Sequence, residues 1–232
     1  MENTFTPIIS VHFPKASGSS IKTSLVRALG ADNVLDEYRF DPIDPANPMY
    51  IFPEKYFLDR PESITPFKAV HGHFSPIHFE EVTPAFRTVM LREPVDNVIS
   101  IFFYWKSLFE TTFRAHALFE YVKVSDLSLI EFVKIKYINR LMSDYYFPSF
   151  DMRKFNVIGD YSNRSAYFSE LSDKLGINFE DQDRVNITPH SEERKAVMSD
   201  QRIMKEIRAH LSEDIRFYEN CLNITSHRKS FK

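Results

Sequence analysis

Glycine is scarce in this chain of 232 residues: there are five, about a third of the usual ~7%. Each is therefore expected where a side chain will not fit. A single cysteine, Cys221, excludes an internal disulfide and a cysteine-rich zinc site, so a reducing cytosol is the expected compartment. No apolar run approaches the ~18 residues of a membrane span, and the N-terminus lacks the charged-then-apolar pattern of a signal peptide. Basic residues are not in excess: 29 Lys and Arg face 32 Asp and Glu, for a net charge of −3. No global positive field exists to hold a nucleic acid, and any anion site must be local. Core material is plentiful, at 43% hydrophobic and 15% aromatic with 22 Phe, beside 26% charged. These proportions exclude disordered, collagen-like and coiled-coil classes. The length suits one α/β domain over residues 1–232, able to bury a core without staples.

Strand and helix patterns alternate along the chain. Ile8 to Phe13 (IISVHF) is a β-branched run that predicts a buried strand. A Lys15-Ala16-Ser17-Gly18-Ser19-Ser20 loop follows it, then a helix through Ile21, Leu25 and Leu29 that Gly30 closes. Residues 31–66 hold six of the thirteen prolines and little periodicity, which predicts an irregular surface excursion. Further strands are expected at Phe67 to Val70, Phe86 to Leu91 and Phe155 to Ile158. Helices are expected from about Val95 to Ser107, after Gly159 up to Gly176, and over amphipathic segments at 110–147 and 191–223. Gly30 and Gly176 read as helix ends. Gly18, Gly72 and Gly159 each fall just after a strand, along the edge where open parallel sheets bind ligands.

Two loops on that edge carry anion chemistry. Between a strand and a helix, the Lys15 to Ser20 loop offers backbone N–H groups at the positive helix end, with hydroxyls and an ammonium added. The structural alternative is that Ser19 or Ser20 merely caps the helix. The loop is not a Walker A sequence, and Arg92 stands where a Walker B carboxylate would follow the third strand. Asp160 is the nearest substitute, behind a strand interrupted by Asn156, so a magnesium nucleotide site is disfavoured. Arg92 ends the third strand, Pro94 suits the first helical turn, and Asp96 and Ser100 follow at four-residue steps. From Arg92 to Ser100 is about 12 Å of helix axis, a gap that a guanidinium and a phosphate together bridge. The alternative pairs Arg92 with Glu93 or Asp96.

Together, Pro14-Lys15-Ala16-Ser17-Gly18-Ser19-Ser20 and Leu91-Arg92-Glu93-Pro94-Val95-Asp96-Asn97-Val98-Ile99-Ser100 resemble two motifs of one family. These are the 5′-phosphosulfate loop and the 3′-phosphate motif of sulfotransferases that use 3′-phosphoadenosine 5′-phosphosulfate (PAPS). The branch of carbohydrate sulfotransferases that includes the heparan sulfate 2-O-sulfotransferases is the most similar, because it carries a His-Gly-His between the motifs, as His71-Gly72-His73 stands here. The resemblance is clearest over residues 8–105, and Val185-Asn186-Ile187-Thr188 is a looser echo. It departs at Ser17, where glycine or alanine is commoner, and at Asn97, where a basic residue is frequent.

The resemblance implies a central parallel sheet flanked by helices, in the P-loop-containing nucleoside triphosphate hydrolase-like (sulfotransferase) arrangement. It implies that Lys15 neutralises charge on the oxygen bridging sulfur to the departing phosphate, an electrostatic role of the largest catalytic kind. It implies that Ser17, Gly18, Ser19 and Ser20 hold the 5′-phosphate, that Arg92 and Ser100 hold the 3′-phosphate, and that no metal is required. The acceptor is then a hydroxyl of a saccharide or glycoconjugate, reached by in-line transfer. A histidine is the usual base near neutral pH. On an extended backbone His71 and His73 point the same way, with His73 preferred as base and His71 as an orienting or substrate contact. A structural histidine, or a metal pair with His78, is the alternative. Golgi members of the family carry an N-terminal anchor; here the first strand starts seven residues after Met1, and a cytoplasmic, bacterial enzyme is expected. An ATP- and magnesium-dependent small-molecule kinase and a non-catalytic nucleotide-binding protein stay open as rivals. Oligomeric state is unread.

Overall fold

The structure, a computed structural model, describes residues 5–110, 116–181 and 192–230, with side chains to residue 225. The Val-Asn-Ile-Thr echo at residues 185–188 lies outside the described residues. The described strands are β1 (Ile8–Val11), β2 (Val34–Glu37), β3 (Ala69–Gly72), β4 (Phe86–Leu91) and β5 (Val157–Asp160). They form one parallel sheet in the order β2-β3-β1-β4-β5. Every residue of β1, β3 and β4 is buried, as a sheet covered on both faces requires.

The described helices are α1 (Gly18–Leu29), α2 (Pro48–Ile51), α3 (Pro53–Leu58), α4 (Pro94–Leu108), α5 (Ala117–Val124), α6 (Leu129–Lys134) and α7 (Lys136–Asn139). A π-helical turn (Leu141–Tyr146) follows, then α8 (Arg164–Leu175), α9 (Glu192–Ser199), α10 (Gln201–His210) and α11 (Ser212–Ser230). Strand parity divides them into two layers. Ile8, Ala69, Phe86 and Val157 pack with Ile21 and Leu25 of α1 and with Tyr167, Phe168 and Leu171 of α8. Ile9, Val70, Val89 and Ile158 face the larger cluster, with Val98 and Phe102 of α4, Phe132 of α6 and Ile207 of α10.

The excursion at 31–66 is less irregular than its prolines predict. It holds the edge strand β2 and the short helices α2 and α3, two of them started by proline at the first helical turn. β2 was illegible because its Val-Leu-Asp-Glu is short and half polar. The strand expected at 67–70 is β3, two residues later, and Lys68 N–H bonds Asn33 O where the β2–β3 ladder begins. As expected, Gly30 and Gly176 end α1 and α8 at positive φ. The chain doubles back at β1: one set of connections leaves toward β3 and β2, the other toward β4 and β5. Ligands of open α/β sheets sit at such a switch point, outside the strand C-termini.

Candidate active site

The loop after β1 opens on this crevice. Lys15 (φ 56) and Ser17 (φ 64) both adopt the left-handed conformation, which costs roughly 1–2 kcal/mol for each residue with a side chain. Two side chains near the start of α4 hold the strained main chain. Arg92 Nη1 donates to Lys15 O at 2.8 Å, and Asn97 Nδ2 donates to Pro14 O at 2.7 Å. Ser17 occupies the N-cap position without a capping bond from its side chain, and Ser19 and Ser20 lie inside α1. Ser17 thus does not cap the helix. Instead the loop and the first turn of α1 line a cavity of about 450 Å³, within the roughly 300–1,000 Å³ usual for small-molecule sites.

One wall of the cavity is cationic, formed by Lys15, Arg92, Arg164 and Arg194. Arg92, almost fully buried, donates from Nε to Asp96 at 2.7 Å and from Nη1 to Ser100 Oγ at 3.2 Å, with its guanidinium 4.3 Å from the Tyr161 ring centre. Arg92 thus pairs with Asp96, as the structural alternative has it, and it reaches Ser100 directly. Asp96 is shared with Arg194 Nη2 at 3.4 Å, and Arg164 pairs with Asp181. Burial first, then Arg92 and Arg194, push the Lys15 ammonium from 10.5 down to about 8.

The opposite chemistry comes from histidines. β1 and β3 pair with Val11 beside Gly72, so the residues one step on, His12 and His73, are neighbours. Their rings stack at 4.1 Å, and His71 stacks on His12 at 5.1 Å. Only His12 and His73 of the three line the cavity. His71 is fully buried, with Nδ1 2.9 Å from Ser10 Oγ, and burial lowers it to about 3. Parity does send both side chains to one side, but His12 covers His71, which keeps it out of the cavity lining and leaves, of its two expected roles, the orienting one. His73 Nδ1 lies 2.7 Å from the Tyr146 hydroxyl, which donates to Asp41 Oδ1 at 3.2 Å. With the Tyr146 proton on Asp41, the hydroxyl accepts from His73 Nδ1–H and the ring's basic lone pair is on Nε2. Burial holds all three imidazoles below the ordinary histidine value. Among the three, His73 alone has a carboxylate, Asp41, raising its basicity against that burial.

The remaining candidates fall elsewhere. His78 packs at a tilt against Phe40 and Tyr56 beside a second, smaller cavity that His71 and His73 do not line. Asp160 accepts from Ser162 N–H at 2.9 Å as a local cap. Among the described residues no group of three or more His, Cys, Asp or Glu is arranged to hold a metal ion, and no helix is long and apolar enough to cross a membrane. The sequence reading missed His12, Asp41, Tyr104, Tyr146, Arg164 and Arg194. His12 was legible in principle as the residue facing His73, once β1 and β3 are known to pair. Tyr104 was legible too, at helical spacing from Asn97 and Ser100. Asp41 and Tyr146 lie 105 residues apart, and no local pattern joins them.

No family model matches the chain, and no curated protein matches it. Two solved structures are similar in chain course. One is the crystal structure of mouse sulfotransferase SULT7A1 complexed with PAP, 12% identical, with 99% of this chain and 91% of that chain covered and a TM-score of 0.47. The other is the crystal structure of a sulfotransferase from Alicyclobacillus acidocaldarius, 11% identical, with 92% and 96% covered and a TM-score of 0.41.

Proposed function

We propose that the protein is a sulfotransferase that moves the sulfuryl group of PAPS to a hydroxyl acceptor, with His73 as the base. The supporting observation is one cavity lined both by a cationic anion cradle and by a carboxylate-supported imidazole. The residues fit a nucleotide with two anionic ends. Ser17, Gly18, Ser19 and Ser20, at the start of α1, would hold the 5′-phosphate through N–H groups and hydroxyls. Arg92 and Ser100, already in hydrogen-bond contact, would hold the 3′-phosphate with Arg164 and Arg194 near by. PAPS, when bound, supplies an activated sulfuryl group whose leaving side is a phosphate.

Lys15 would neutralise charge as it gathers on that leaving oxygen. His73, oriented by Tyr146 and made more basic by Asp41, would take the acceptor proton at Nε2. His12 stacks on the base and excludes water from one face of it. A saccharide or glycoconjugate acceptor, the heparan sulfate 2-O-sulfotransferase-like branch and a cytoplasmic location belong to the same proposal, on the motif resemblance alone. The test is a transfer screen with sulfur-labelled PAPS over saccharides, lipids and phenols, beside a γ-labelled ATP–magnesium arm on the same panel. Label reaching a hydroxyl acceptor from PAPS, lost in the His71→Ala, His73→Ala double variant, is the expected result. Transfer from ATP–magnesium instead makes the protein a kinase, and full sulfuryl transfer by the double variant removes the histidine base.

A further inference from the structure

The loop lysine stands among like charges. Lys15 shares the cavity wall with Arg92 at the end of β4, Arg194 on α9 and Arg164 on α8, and with His12 after β1. Arg92 and Arg194 both disfavour its ammonium form, and Lys15 in turn disfavours protonation of His12. Asp96 is engaged by Arg92 at 2.7 Å and by Arg194 at 3.4 Å. The lysine Nζ meets an aromatic face, with the Tyr104 ring centre 3.7 Å away. Tyr104 lies on α4, one turn past Ser100 and two past Asn97, on the helix face whose Asn97 grips the loop main chain.

We propose that Tyr104 is a positioning residue that holds the Lys15 ammonium charged and in place at the anion cradle before any ligand arrives, a role that rests on the function given to Lys15 above. A ring suits this task better than a carboxylate. Its quadrupole attracts a cation, yet it adds no negative charge to repel an anionic donor, and it yields the ammonium when phosphate oxygens offer a stronger attraction. The face of α4 would then fix the strained loop twice, by the Pro14 carbonyl through Asn97 and by the Lys15 side chain through Tyr104.

Lysine labelled with carbon-13 at Cε, titrated by NMR in the free protein, reads the ionisation of Lys15 directly, the signal being assigned by its loss in Lys15→Arg. Tyr104 is replaced by Phe, by 3,4,5-trifluorophenylalanine and by Leu. Phe keeps the ring face and is expected to keep the midpoint. The fluorinated ring has nearly the same shape with its face neutralised, and it is expected to lower the midpoint by about one pH unit, roughly tenfold in the ionisation constant. Leu is expected to do the same, and the alkaline limb of kcat/KM is expected to follow in each variant. A fluorinated variant that titrates with the Phe variant overturns the proposal, and its near-native shape keeps that result interpretable if Leu fails to fold. The NMR midpoint needs neither donor nor acceptor. A midpoint that moves in a protein that binds no PAP supports Tyr104 and overturns the sulfotransferase reading; a fixed midpoint in a protein that transfers sulfuryl groups does the reverse.

Discussion

At the scale of single residues, the three clustered imidazoles have the same side chain and different neighbours. His71 is sealed behind His12 and bonded to Ser10, His12 shares a hydrogen bond with the Tyr38 hydroxyl at 3.2 Å and faces the Lys15 charge, and His73 has the Tyr146–Asp41 connection. We expect His73→Asn to lower kcat by about 10²- to 10⁴-fold, the usual range for a general base, with PAP affinity within about threefold of wild type. His71→Asn should act mainly on stability. The pH dependence of kcat/KM reports groups of the free enzyme. Its alkaline limb should fall near 8, where Lys15 loses its charge, and its acid limb below the ordinary histidine value, since burial lowers His73. Asp41 favours the protonated imidazole, so Asp41→Asn should move the acid limb to lower pH. An acid limb that stays in place in Asp41→Asn would separate Asp41 from the base.

At the scale of elements, the glycines show how far a pattern reaches. Gly72 was legible as a position hostile to a side chain, but its reason lay in a strand that no periodicity marked. A Cβ on Gly72 would stand 1.6 Å from the Glu37 carbonyl oxygen of β2, so Gly72→Ala must push the edge strand away. The expected loss is about 2–4 kcal/mol by urea unfolding, in the range of severe steric changes; a loss under about 0.5 kcal/mol would mean that β2 does not pack there. A Cβ on Gly18 would meet the His12 ring at 1.8 Å, so that glycine seats a histidine as well as opening the cradle. β4 and α4 were nearly complete in the sequence, because six consecutive buried residues followed by a proline-started helix leave little ambiguity. The π-helical turn carrying Tyr146 was not. It is pinned from α11, where Asp214 accepts the N–H groups of Met142 at 2.8 Å and Ser143 at 2.9 Å, a tertiary contact with no local signature.

At the scale of the whole molecule, a net charge of −3 hides a cationic wall gathered from four distant stretches: Lys15 after β1, Arg92 after β4, Arg164 on α8 and Arg194 on α9. The first two were legible because each stands beside a strand end and a helix start. The other two come from the end of the chain that the motifs do not reach, and only the sheet order brings them to the same crevice. The rest of the cavity lining is equally non-local, since Asp41, Trp105 and His116 converge on it from three separate segments. If the crevice grips both ends of one nucleotide, calorimetric titration will find PAP bound at least about tenfold more tightly than adenosine 5′-phosphate by the wild type, with the difference largely lost in Arg92→Ala, since a charge-assisted contact contributes about 1.5–3 kcal/mol. Equal affinity of the wild type for the two nucleotides would contradict it.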